Sequence, residues 1–141
     1  MRIMAIDYGD AHTGIAVSDP TGLLAGFTTV INAYRPDRVA EQIALLAKEH
    51  GAERLVLGHP INMDGTRGPR SEKAQAMRQL LEETTGLPVV LWDERRTTID
   101  AHQILFNSGK NAKKRKKVVD AVAASLILEG YLTYLKNHPE G

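Results

Sequence analysis

The order of its secondary-structure signals is the feature that most constrains how this chain can fold. Three β-like segments, residues 2–8, 13–19 and 23–31, follow one another with only short turn-forming stretches between them. Consecutive strands of this kind predict an antiparallel meander. Behind them, helical and strand patterns alternate, which is typical of right-handed crossovers onto parallel strands. The sequence therefore predicts an α/β fold in which a mixed five-stranded sheet carries helices on both faces.

Two later strands are short and apolar, with the sequences Arg-Leu-Val-Leu-Gly at residues 54–58 and Val-Val-Leu-Trp-Asp at residues 89–93. Such runs suit interior parallel strands. Ligands in open α/β sheets bind outside the carboxyl ends of the strands, which directs attention to Asp7, to Gly58-His59-Pro60 and to Asp93-Glu94. Apolar residues at helical spacing predict helices over residues 36–50, 71–84 and 117–135, with a shorter one between Thr97 and Gly109.

Size and composition narrow the classes of function. The 141 residues are 43% hydrophobic and 25% charged, which predicts a single domain over residues 1–141. The chain contains no cysteine, so disulfides, zinc–thiolate clusters and thiol nucleophiles are excluded. Asp7 interrupts the opening apolar run too early for a signal peptide, and no apolar stretch approaches the ~20 residues of a membrane span. We therefore expect a cytoplasmic protein without membrane association.

The positive charges are concentrated in one place, although the net charge is only +1. Six cations occupy eight consecutive positions with no acidic residue among them: Lys110, Lys113, Lys114, Arg115, Lys116 and Lys117. Such density favours binding to phosphate polymers, although a run of this kind can also be a solvated loop. Because the run lies immediately before the last predicted helix, it predicts a nucleic-acid contact beside that helix.

Acidic residues stand at three positions that the predicted fold should bring together. Asp7 closes the first strand, Asp93 and Glu94 close the fifth, and Asp120 lies early in the last helix among valines and alanines. Each also has an ordinary explanation, as a turn cap, a salt-bridge partner of a nearby arginine or a helix-dipole partner. Carboxylates gathered at one place repel one another, and they persist when a divalent cation neutralises them. Together these acids predict a metal site.

Five motifs in a fixed order resemble one family over nearly the whole chain. They are Ala5-Ile6-Asp7-Tyr8-Gly9, Gly14-Ile15-Ala16-Val17-Ser18-Asp19, Gly58-His59-Pro60 with Asp64-Gly65, Asp93-Glu94-Arg95-Arg96-Thr97-Thr98, and Asp120-Ala121-Val122-Ala123-Ala124. The chain resembles the YqgF/RuvX family, whose members are similar to Holliday-junction resolvases. The resemblance implies a ribonuclease-H-like fold with strand order 3-2-1-4-5. It also implies a nuclease that processes the 5′ end of precursor 16S rRNA in ribosome biogenesis.

The same resemblance implies which residues form the site. Asp7, Glu94 and Asp120 would be the catalytic, metal-binding set, with Asp93 as an alternative or additional ligand. The fourth strand separates the first from the fifth, a gap of roughly 10 Å, so the longer reach of a glutamate favours Glu94. Carboxylates suit Mg²⁺ or Mn²⁺, and two such ions would hold the scissile phosphate and activate water. Ala11-His12-Thr13 and His59 depart from the usual family residues in two segments expected to contact substrate.

Nucleic acid is the implied partner, either structured RNA or branched DNA. The long connection at residues 62–69 is a candidate functional loop. Aromatic residues make up only 5% of the chain, which predicts recognition through shape and phosphates instead of a stacking platform. The chain would act as a monomer or, for junction cleavage, as a two-fold homodimer. Four further residues would extend the electropositive face: Arg67, Arg70, Arg95 and Arg96.

Three alternatives to an rRNA nuclease stay open. A Holliday-junction-type DNA resolvase would use the same acids, whereas a non-catalytic RNA-binding module would use only the basic residues. Asp7-Tyr8-Gly9 with Thr13-Gly14 also resembles the phosphate-binding turn of actin-like ATPases and sugar kinases. Those enzymes close two such domains around a nucleotide, and 141 residues supply only one. Length therefore argues against the ATPase alternative.

Overall fold

The computed structural model describes residues 1–19, 25–59, 68–93 and 112–138, with the backbone alone for residues 112–120. The strands in these ranges are β1 (Ile3–Asp7), β2 (His12–Ser18), β3 (Ala25–Asn32), β4 (Arg54–His59) and β5 (Val89–Asp93). The helices are α1 (Pro36–His50), α2 (Pro69–Thr85) and α3 (Ala112–Asn137). The helix predicted between Thr97 and Gly109 lies outside the described residues, as does most of the candidate functional loop at residues 62–69.

The strands form one mixed sheet in the order β3-β2-β1-β4-β5. β2 pairs antiparallel with both β1 and β3, which confirms the predicted meander. β4 pairs parallel with β1, and β5 pairs parallel with β4. The strand order implied by the family resemblance is therefore confirmed. Because β1, β4 and β5 run in the same direction, their last residues Asp7, His59 and Asp93 lie at one edge of the sheet, which we call the carboxyl edge.

The alternation of side chains along the strands divides the core into two layers. On one face, residues such as Met4, Ile6 and Leu57 pack with the buried residues of α1 and α2. On the other face, Ile3 and Ala5 pack with α3. We call these the α1/α2 face and the α3 face. Since successive side chains of a strand point to opposite faces, the face of each strand-end residue follows from its neighbours.

Local signals explain where α1 begins and ends. Pro36 occupies the first turn, where its missing N–H costs nothing. Val39, Ile43 and Ala47 are buried at a spacing of four residues, so they form the inner stripe of the helix. The helix ends at His50 and is capped by Gly51, whose φ of 67° is the left-handed conformation that glycine adopts without steric cost. This helix and α2 together cover the α1/α2 face.

The last helix begins earlier than the sequence predicts. α3 starts at Ala112 instead of Lys117, so the basic run does not form a separate segment before the helix. Lysine and arginine are good helix formers, and the helix therefore continues through the charged positions. Lys110 lies outside the described residues. The other five cations of the run are within α3, and we call residues 113–117 the basic stretch. Within the described ranges, no helix is both long and apolar enough to cross a membrane.

Candidate active site

Asp7 is the last residue of β1, at the carboxyl end of the central strand of the sheet. Ile3 and Ala5 lie on the α3 face, so alternation puts Asp7 on that face as well. Its side chain is partly buried, in contrast to the fully buried residues before it. The carboxylate thus stands where the apolar layer under α3 ends and solvent begins.

The strands on either side of Asp7 carry glycines beside it. Gly14 of β2 is its antiparallel pairing partner. On β4, Leu57 pairs with Ile6, and Gly58 is the next residue. Gly58 also pairs with Trp92, a residue of the α3 face. At the positions directly beside Asp7, both neighbouring strands therefore carry a glycine on this face, and His12 is the next residue of β2 on the same side. Glycine within a strand is typical of sites where a ligand or another backbone approaches closely.

Asp120 belongs to the helix that covers the same face. It lies in α3, four residues before Ala124, which is fully buried against the sheet. Positions four residues apart lie on the same side of a helix, so Asp120 stands one turn before the buried stripe. Further along, the Arg54 guanidinium donates to the Tyr131 hydroxyl at 2.8 Å, and Tyr131 packs edge-to-face on Trp92. These contacts anchor the second half of α3 on β4 and β5.

Asp93 lies on the other side of the sheet. It is the last residue of β5 and pairs with His59. Val89 and Leu91 belong to the layer under α1 and α2, so alternation gives Asp93 to the α1/α2 face. The sheet therefore separates Asp93 from Asp7. Glu94, the next residue, lies outside the described part of the chain.

The two histidines that depart from the family pattern both have partners within the fold. His12 lies at the start of β2, where its Nδ1 is 2.6 Å from Oδ1 of Asn32 on β3. His59 is buried, and its Nε2 lies 2.6 Å from the Ser71 hydroxyl in α2. Because His59 faces α2 instead of α3, it links the end of β4 to the first turns of α2. By alternation His12 lies on the α3 face, two residues before Gly14, the pairing partner of Asp7, whereas His59 lies on the α1/α2 face.

The described basic candidates come from two helices. Residues 113–117 occupy the first turns of α3, the helix that carries Asp120. Arg70 is exposed in the first turn of α2. Arg67, Arg95 and Arg96 lie outside the described residues. The described basic candidates therefore come from both helical layers: the basic stretch belongs to α3 on one face of the sheet, and Arg70 belongs to α2 on the other.

One charged cluster at the carboxyl edge was missed by the sequence reasoning. Lys73 of α2 donates to the Asp10 carboxylate at 2.9 Å, and this lowers the pKa of Asp10 below its ordinary value. Burial raises the pKa of Tyr8, and the Asp10 charge adds to that rise, so the phenol stays neutral near pH 7. Asp10 and Lys73 are 63 residues apart, and no local pattern connects them.

The donor chemistry at Asp7 fits a hard divalent cation. A partly buried carboxylate oxygen with glycines on both neighbouring strands offers the ligand type and the space that Mg²⁺ or Mn²⁺ requires. Within the described side chains, no three acidic or histidine residues form a metal-binding group. Those side chains include Asp7 but neither Glu94 nor that of Asp120.

Comparison with known proteins gives consistent relatives. A family model described as "RuvX: Holliday junction resolvase" matches residues 1–134. A Halothermothrix orenii protein named "Putative pre-16S rRNA nuclease" is 43% identical over 134 residues, covering 95% of this chain and 96% of its own. A Bacillus subtilis protein of the same name is 44% identical over 137 residues, covering 96% and 99%. These matches span almost the full length of both partners.

Solved structures share the fold at much lower identity. Thermus thermophilus RuvC, in complex with a Holliday junction substrate, has a TM-score of 0.63 at 15% identity and covers 97% of this chain and 96% of its own. Fowlpox virus resolvase, in complex with Holliday junction DNA, has a TM-score of 0.60 at 12% identity, with coverage of 96% and 99%. The sheet order and these neighbours define a ribonuclease-H-like fold. Together with the family match over residues 1–134, they show that the chain belongs to the RuvX family.

Proposed function

We propose that this protein is a metal-dependent nuclease that hydrolyses phosphodiester bonds during processing of the 5′ end of precursor 16S rRNA. The observation that carries the proposal is the position of Asp7. Its carboxylate lies at the carboxyl end of the central strand, between two strand glycines, on the face covered by the helix that contains Asp120. The names of the Halothermothrix orenii and Bacillus subtilis relatives support the choice of substrate.

Asp7, Glu94 and Asp120 are the proposed metal ligands. The location of Asp93 on the face opposite Asp7 supports Glu94 over Asp93 as the third ligand. When bound, two Mg²⁺ or Mn²⁺ ions supply charge neutralisation at the scissile phosphate and an activated water. The protein supplies the carboxylate oxygens, and the glycines beside Asp7 keep side chains away from the approaching phosphate.

The basic stretch would hold the substrate. Its five cations are in the same helix as Asp120, three residues or more before it. Side chains there can bind backbone phosphates close to the point of cleavage without reading base sequence. The protein would act in the cytoplasm, on structured RNA.

Cleavage assays on acid-to-amide variants test the ligand set. Asp7→Asn, Glu94→Gln and Asp120→Asn should each reduce Mn²⁺-dependent cleavage of structured precursor RNA by at least about 100-fold, since each removes a charged ligand. Binding of the same RNA in EDTA should be largely retained. Asp93→Asn, on the opposite face, should keep cleavage, and Asp37→Asn, an exposed acid of α1, serves as a neutral control. Wild-type cleavage in the three ligand variants would refute the proposal.

Junction resolution is the second candidate function. The family description and the two resolvase structures favour it. Resolution of a four-way junction requires two nicks related by two-fold symmetry, and therefore a dimer. The assay should include four-way DNA junctions beside structured and single-stranded RNA, with the oligomeric state measured by light scattering. Junction cutting by a dimer, without RNA cleavage, would select this second function.

A further inference from the structure

We propose that a small pocket between Tyr8 and Tyr34, beside the catalytic edge, binds one unstacked base of the nucleic acid next to the scissile phosphate. This inference rests on the proposed nuclease function and adds a substrate-binding subsite to it. The pocket has a volume of about 240 Å³. Its lining combines two aromatic rings, an ion pair and an apolar floor formed by α2.

The pocket is assembled from three segments that are far apart in sequence. Tyr8 and Asp10 come from the β1–β2 turn, and Tyr34 comes from the turn before α1. The Ala33 N–H donates to the Ala11 carbonyl at 3.2 Å, which holds these two turns together. Met77 and Leu80 of α2 form the floor. This backbone contact keeps the two turns that carry the tyrosines next to each other.

Exposure distinguishes Tyr34 from a core tyrosine. It is 80% exposed, whereas Tyr131 on the opposite face is 2% exposed. Exposing a large ring has no benefit for folding, because the apolar area stays in water. An exposed ring over an apolar pocket is, however, typical of single-stranded RNA recognition, in which splayed bases stack on aromatic side chains.

Charge at the mouth of the pocket suits a phosphate attached to that base. The Lys73–Asp10 ion pair is largely exposed, and exposed pairs contribute little to stability, so Lys73 can exchange Asp10 for a phosphate oxygen. Arg70, one turn before Lys73 in α2, is close enough to Asp10 to affect its pKa. Two cations, Lys73 and Arg70, therefore lie near Asp10.

The position of the pocket relative to Asp7 agrees with a nucleotide flanking the cleaved bond. Tyr8 follows Asp7 directly, so their Cα atoms are about 3.8 Å apart. Alternation and packing put Tyr8 on the α1/α2 face, while Asp7 lies on the α3 face. A strand whose phosphate lies at Asp7 can therefore turn a neighbouring base over the carboxyl edge. The pocket is smaller than the roughly 300–1,000 Å³ of drug-sized sites, which suits one planar ring.

Base-dependent binding by the full chain tests this inference. Affinity for a short single-stranded RNA is measured by fluorescence anisotropy in EDTA, with one abasic position moved along the strand. Tyr34→Ala should weaken binding about 10-fold, the typical loss for one base stacked on an aromatic side chain. Tyr34→Phe should restore most of that affinity, because the ring remains. Leu45→Ala, which truncates an exposed apolar side chain on α1 outside the pocket, is the matched control.

A cycle between protein and RNA changes identifies the contact. At one position of the strand, removing the base should weaken RNA binding to the wild type about 10-fold. The same removal should not weaken RNA binding to Tyr34→Ala, because that variant already lacks the ring on which the base stacks. The pocket assignment would be overturned if Tyr34→Ala bound the RNA as tightly as the wild type. It would also be overturned if Tyr34→Ala lost the same affinity for every abasic RNA as for the intact RNA. Absence of any RNA binding would overturn it together with the proposed function. Position-specific base binding without Mn²⁺-dependent cleavage would keep the pocket and refute only the nuclease.

Discussion

At the scale of single residues, the turn after Asp7 depends on a glycine for space. A Cβ atom on Gly9 would overlap the backbone carbonyl oxygen of His12, and backbone atoms cannot move aside cheaply. Gly9→Ala should lower the free energy of unfolding by about 1–3 kcal/mol and reduce cleavage, because the turn carries Asp7 and Tyr8. Gly51→Ala is the matched control. It meets no atoms within 4 Å but adopts φ of 67°, so it should cost about 1 kcal/mol without affecting cleavage. Urea unfolding with cleavage assays distinguishes the two, and equal cleavage by both variants would contradict the clash.

The sequence could indicate only part of the site at this scale. Asp7 and Asp93 were recognisable because acids at strand ends are visible in a linear pattern. The face that each one occupies requires the pairing register, and this register separates Asp93 from Asp7. The Asp10–Lys73 ion pair and the pocket beside it were not predictable, because they join turns and a helix 63 residues apart.

At the scale of elements, the first turns of α3 are electrostatically unfavourable. The helix has no acidic residue in its first turn, and its basic stretch begins at the second position. Cations there oppose the positive end of the helix dipole. Lys113→Gln and Lys114→Gln should therefore each raise the free energy of unfolding by about 0.3–1 kcal/mol at low salt. Lys136→Gln, in the last turn, should lower it by a similar amount. Thermal unfolding at low and high salt measures both effects. A loss of stability in Lys113→Gln or Lys114→Gln would contradict the unfavourable interaction of these lysines with the helix dipole.

The beginning of α3 also shows where sequence reasoning about elements fails. A dense charge run has no apolar periodicity, so the predicted helix began only where valines and alanines resume. The helix continues through the run because lysine and arginine have high helix propensity. In contrast, the bounds of α1 were predictable, since a proline and a glycine mark its two ends.

At the scale of the whole molecule, the sheet separates the two proposed binding regions. The helix that contains Asp120 and the basic stretch covers the face of Asp7, while the tyrosine pocket lies on the α1/α2 side of the same edge. The meander followed by crossovers predicted a mixed five-stranded sheet, and the strand order itself was predictable from the family resemblance. A net charge of +1 gave no indication of this division, because it averages over both faces.

Salt dependence of binding tests the division of charge. If Z cations contact phosphates, the logarithm of affinity falls with the logarithm of salt with a slope of about −0.7Z on single strands and −0.9Z on duplexes. Replacing Lys113, Lys114, Lys116 and Lys117 by glutamine should flatten this slope by up to about 2.8 on single strands and about 3.6 on duplexes. Lys48→Gln, on α1 and away from the carboxyl edge, should leave it unchanged. An unchanged slope in the fourfold variant would remove the basic stretch from the interface.

Direct titration of Mn²⁺ into the protein without nucleic acid addresses the central claim most closely. If Asp7, Glu94 and Asp120 share bound metal, calorimetry should detect Mn²⁺ binding to the wild type and to Asp93→Asn. The same titration should show at least about 10-fold weaker binding to Asp7→Asn, Glu94→Gln and Asp120→Asn. Wild-type Mn²⁺ affinity in all three of these variants would show that the three carboxylates do not form one site.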